Sequence, residues 1–102
     1  MNHSLLCLSH LETLKICKEQ ICISDIVLLR GNGNYTNIHL ICGRIILSSK
    51  HLGYFEKNLP LTFFQRPHKR AIINLNFIAA RHSVSLLMQN GEEVRVSRRR
   101  KI

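Results

Sequence analysis

A chain of 102 residues that is 45% apolar has enough hydrophobic material for one folded domain, and too much for a disordered segment. Fifteen Lys and Arg against six acids give a formal charge of +9, which leaves the fold open but favours a polyanionic partner, nucleic acid ahead of acidic membrane. No apolar run approaches the ~20 residues of a membrane span, and residues 1–8 lack the basic start of a secretory signal, so a cytoplasmic location is the default expectation. Cys7, Cys17, Cys22 and Cys42 form no Cys-x-x-Cys pair, and reduced, partly buried thiols are expected of them.

Residues 1–11 read as a loose N-terminal arm, and residues 12–102 as the domain. A hydrophobic period of two dominates, so most elements are predicted to be strands. Leu14-Lys15-Ile16-Cys17 and Gln20-Ile21-Cys22-Ile23 form a hairpin around a turn at Lys18-Glu19. Ser24-Asp25 turns the chain into Ile26-Val27-Leu28-Leu29, a run buried on both faces. A loop at residues 30–34 follows, with two glycines that tolerate positive φ. The strand from Tyr35 to Ile41 alternates, and Cys42-Gly43 returns it as Arg44-Ile45-Ile46-Leu47. Ser48-Ser49 offers an N-cap for a single helix from Lys50 to about Asn58, whose Leu52, Phe55 and Leu59 share one face. Pro60 ends it. A short strand at Phe63-Phe64-Gln65 is broken by Pro67, and further strands begin at Ala71, Phe77 and Ser83. Asn90-Gly91 between apolar runs is a strong hairpin signal, leading to Val94-Arg95-Val96-Ser97.

Three chemistries compete for the site. Catalysis lacks a nucleophile elbow, a Walker loop and paired acids; Gly31-Asn32-Gly33 precedes a strand and not a helix, and His39 with Cys42 makes a poor nucleophile pair. A metal site lacks paired ligand couples; His3, Cys7 and His10 have helical spacing but no second couple, so neither metal nor cofactor is expected. Nucleic acid fits better. Nine of the fifteen basic residues lie between Arg66 and Lys101, opposed only by Glu92 and Glu93. Asn32, Asn34, Lys69, Arg70 and Arg98 stand at loop tips or element ends, where Arg and Lys can donate to guanine and Asn can pair with adenine. Arg99, Arg100 and Lys101 suit phosphates. Only Tyr35 and Tyr54 are candidate exposed stacking residues, which disfavours single-strand platforms. A basic module for an acidic protein or membrane, and an RNA-binding domain, remain the alternatives.

The order of segments resembles the LytTR-type DNA-binding domain of bacterial response regulators and related transcription factors. Ile23-Ser24-Asp25-Ile26, Gly33-Asn34-Tyr35-Thr36 with Ile38-His39, and Leu52, Phe55, Leu59-Pro60 with Phe63-Phe64 carry the resemblance. So do Arg66-x-His68-Lys69, Ile73-Asn74-Leu75-x-x-Ile78, Asn90-Gly91 and Val96-Ser97-Arg98-Arg99, over about residues 21–101. Pro67 before His68, and Arg70 where a small hydroxyl residue is common, depart from the pattern. The resemblance implies an elongated β sandwich with one central helix and room for a short C-terminal helical turn. It implies duplex DNA with direct repeats as partner, loops entering successive major grooves, and no catalysis. A second copy on tandem sites, and a separate sensor or inhibitor protein, would be further partners. By position, Asn34, Lys69 and Arg98 would face bases, and Asn32, Lys50, Arg66, Arg70, Arg99, Arg100 and Lys101 would face the DNA backbone. His68 and Asn74 would support the loops.

Overall fold

The computed structural model describes residues 13–97. In chain order these are β1 (Thr13–Ile16), β2 (Glu19–Cys22), β3 (Ile26–Asn32), β4 (Tyr35–Leu40), β5 (Ile45–Ser48), α1 (Leu52–Asn58), β6 (Phe64–His68), β7 (Ala71–Asn74), β8 (Ile78–Arg81), β9 (Ser85–Met88) and β10 (Glu93–Arg95). Short 3-10 turns at Ile23–Asp25 and Leu75–Phe77 precede β3 and β8. Among the described residues the protein is mainly β with one helix, as the alternation predicts, and every strand pairing is antiparallel. The strands form three sheets: β1-β2, β5-β4-β3-β7-β6 and β10-β9-β8.

The five-stranded sheet is the middle layer because its central strand is apolar on both sides. Ile26, Val27, Leu28 and Leu29 of β3 are all fully buried. A register shift between Ile26 and Leu28 marks a bulge, so adjacent Val27 and Leu28 join one core while Ile26 and Leu29 join the other. On one face, α1 (Leu52, Phe55) and the β1–β2 hairpin (Ile16, Ile21) cover Leu29, Ile38 and Ile72. On the opposite face, Leu86, Met88 and Val94 of the last three strands cover Val27, Leu28 and Ile73. The extents are 37 × 29 × 23 Å.

Several boundaries differ from the sequence reading. The first hairpin turns at Cys17-Lys18, both with positive φ, one residue earlier than expected. Gly31 and Asn32 belong to β3, which shrinks the loop to Gly33-Asn34. Helix α1 begins at Leu52 and is capped by His51, whose Nδ1 accepts from the Tyr54 amide, whereas Ser48 closes β5. Pro67 lies within β6 rather than ending it; β6 is an edge strand with an irregular register between Gln65 and His68, where a missing N–H is tolerated. Cys17 and Cys42 are exposed free thiols rather than partly buried ones, and Cys22 is disulfide-bonded rather than reduced. The N-terminal arm, His3, Cys7 and His10, and any C-terminal helical turn lie outside the described residues. No helix among the described residues is long and apolar enough to cross a membrane.

His39 on β4 is buried, although its strand begins at an exposed Tyr35. Burial holds its pKa below the usual 6.5; nearby Glu92 opposes this and Arg30 reinforces it. The unfolded chain therefore takes up more protons than the folded one as pH falls through 6.5. Folding stability should decline over that range, and His39→Gln should flatten the decline. Thermal unfolding midpoints at pH 7.5 and 5.5 test this; equal pH slopes for parent and variant would refute it.

Candidate nucleic-acid interface

Two tight hairpins and the entrance to α1 meet at one end of the central sheet. β3 and β4 turn through Gly33-Asn34, with Asn32 opposite Tyr35, and Gly33 takes the positive φ that closes the turn. β6 and β7 turn through Lys69-Arg70, with His68 opposite Ala71. Because β3 pairs with β7, the tips lie side by side, and the Gly31 amide donates to the Arg70 carbonyl at 2.8 Å. β5 pairs with β4 so that Ser48 faces Thr36, and the buried Thr36 hydroxyl donates to the Lys50 carbonyl at 2.8 Å. Lys50 thereby stands beside the first hairpin, with its ammonium 5.1 Å from the Tyr54 ring centroid.

The three segments enclose a polar cleft of about 310 Å³, lined by Gly31, Gly33, His51, Leu52, Gly53, Arg66, Lys69 and Arg70. Asn32, Asn34, Lys50, Lys69 and Arg70 are all exposed around it. Among the described residues no carboxylate pairs with Lys50, Lys69 or Arg70, whereas Arg30, Arg44 and Arg66 are paired with Glu92, Glu19 and Glu56. Lys50, Lys69 and Arg70 therefore leave uncompensated positive charge beside the cleft, as Lys15, Lys18, Lys57, Arg81 and Arg95 do elsewhere on the surface.

Arg66 differs from its neighbours. It is half-buried, bonds Glu56 at 2.6 Å and donates to the Lys69 carbonyl at 2.5 Å. It joins α1 to the β6–β7 tip and fixes the backbone that carries Lys69. The half-buried His68 reinforces that turn, its Nδ1 accepting the Arg70 amide at 3.2 Å. Asn74 lies at the far end of β7, fully buried, donating to the Ile26 carbonyl and accepting the Asn76 amide. It locks β7 to the start of β3, away from the cleft. Arg98, Arg99, Arg100 and Lys101 lie outside the described residues, but the Ser97 amide donates to the Pro67 carbonyl at 2.8 Å. The last described residue is thus held to the strand that leads to Lys69.

Residues that sequence reasoning passed over are His51 and Gly53. Ser48-Ser49 is the stronger capping signal, so the exposed imidazole at position 51 drew no attention. Gly53 makes room for that ring: a Cβ there would lie 3.2 Å from His51 Cε1 and Nδ1.

Residues 18–101 match the family described as the LytTr DNA-binding domain. The structure is similar to the LytTr DNA-binding domain of a protein assigned as a methyl-accepting/DNA response regulator from Bacillus cereus, at 31% identity and a TM-score of 0.69. That likeness covers 84% of each chain. No curated protein matches the chain in sequence. Fold and match together define a DNA-binding domain. The chain belongs to the LytTr family.

Proposed function

We propose that this domain gives a bacterial transcriptional regulator of the response-regulator type its preference for particular duplex sites, at direct repeats read by loops in successive major grooves. The observation that carries the reading is the convergence of the Asn34 tip, the Lys69-Arg70 tip and the α1 entrance at a cleft where Lys69 and Arg70, with Lys50 beside them, have no carboxylate partner among the described residues. Asn34, Lys69 and Arg98 read bases. Asn32, Lys50, Arg70, Arg99, Arg100 and Lys101 hold phosphates and set register. Arg66 is better suited to holding the Lys69 turn than to a phosphate, since its guanidinium serves Glu56 and the Lys69 carbonyl. The role is binding in the cytoplasm, without catalysis, metal or cofactor. Tandem repeats would seat a second copy, and a separate sensor or inhibitor protein would supply control.

Selection of bound sites from random duplex DNA tests the reading. The selected site should bind at least ~10³-fold more tightly than random duplex at physiological salt. A ratio near one would favour a general acidic-surface binder, and a preference for structured RNA would favour an RNA-binding domain. Within the tail, Arg98→Ala should cost about 1–3 kcal/mol on the selected site and relax one base position. Lys101→Ala should instead weaken all duplexes alike and reduce the salt slope by about one. Identical behaviour of the two variants would remove Arg98 from base reading.

A further inference from the structure

We propose that His51 is a DNA-contacting residue, its Nε2–H donating to a backbone phosphate oxygen at the cleft; this rests on the duplex-binding role proposed above. The ring is set up for that contact by its other nitrogen. Nδ1 accepts the Tyr54 amide at 3.3 Å, so in the neutral imidazole the proton resides on Nε2. Nε2 makes no hydrogen bond among the described residues, and His51 is exposed. The ring lies over Gly53, the residue type that leaves it room. It shares the cleft wall with Lys69 and Arg70, which give the opening a positive potential that draws in a phosphodiester.

A small capping residue would satisfy the same amide, but Ser, Asn or Asp is shorter than imidazole and places no donor as far out as Nε2. Imidazole does both, with two nitrogens on opposite sides of one rigid ring. The cap holds the ring in place, so the outward donor is positioned before DNA arrives.

The two roles separate in His51→Asn, which keeps a capping oxygen but whose remaining N–H donors stop short of the position of Nε2. Parent and variant are compared by thermal unfolding and by binding to a selected duplex and to a random duplex. The expected result is an unchanged unfolding midpoint with binding about tenfold weaker on both duplexes, because a phosphate contact carries no sequence information. His51→Gln, which restores a longer donor, should recover part of the loss. Unchanged binding by His51→Asn would overturn the proposal and leave His51 as a cap alone. A loss confined to the selected duplex would also overturn it, in favour of a base contact. Failure of the parent itself to bind either duplex would overturn the DNA-binding reading and this proposal together.

Discussion

Lys69→Ala should weaken binding to the preferred duplex by about 1–3 kcal/mol and relax the choice of base at one position. The side chain is exposed at a two-residue tip and makes no ion pair among the described residues, so its removal should leave the fold intact. Its backbone is held twice, by Arg66 on the Lys69 carbonyl and by His68 on the Arg70 amide. That support limits the freedom lost when the ammonium docks against a base edge, which makes the contact count in the difference between sites. A selection experiment on the variant reads the relaxed position directly. Loss of equal size on every duplex, with a salt slope lower by about one, would make Lys69 a phosphate contact instead. Lys57, exposed in the last turn of α1, serves as a control whose removal should leave base preference unchanged.

Phe55→Ala should lower unfolding stability by about 3–5 kcal/mol, a large share of the 5–15 kcal/mol usual for a domain. Phe55 is 1% exposed and belongs to the core that α1 shares with the β1–β2 hairpin and the central sheet. Tyr54 packs edge-on against it, with ring centroids 5.2 Å apart. The cavity would loosen the helix whose entrance carries Lys50 and His51, so DNA affinity should fall along with stability. Urea unfolding measures the effect as a lower midpoint at unchanged slope. A loss below ~1 kcal/mol would mean that the site collapses readily and that α1 contributes little to the core.

Much of the fold is legible along the chain because its signals are local. The alternation in Tyr35 to Leu40, the unbroken Ile26 to Leu29 run and the spacing of Leu52, Phe55 and Leu59 each report burial within a few residues. Turn chemistry marks the Asn34 and Gly91 hairpins in the same way. Where local signals compete, the sequence is ambiguous. Ser48 is a good cap by type, but its backbone is committed to pairing with Thr36, and the cap passes to His51. Pro67 reads as a breaker until β6 proves to be an edge strand with an irregular register.

The hairpin tips with Asn34 and Lys69 were identifiable from charge and turn residues alone, but their meeting was not. It depends on β3 pairing with β7, more than forty positions apart, and on the Gly31–Arg70 bond that follows from it. Long-range pairing likewise decides which cations are spent. Arg30 is claimed by Glu92, 62 residues away, and Arg66 by Glu56 across the exit from α1. Composition counts these arginines with Lys69 and Arg70 as equal members of a +9 total.

By itself the sequence determined a mainly β domain, one helix, its core-facing residues, and a basic excess weighted toward the second half of the chain. Periodicity and turn preference act over short separations and need no partner to be read. Only the tertiary structure decided that Arg66 holds a turn, that His39 is buried, and that His51 faces a cleft while capping a helix. Those assignments depend on which side chain lies opposite which, and opposition is set by sheet order and register rather than by neighbours in the chain.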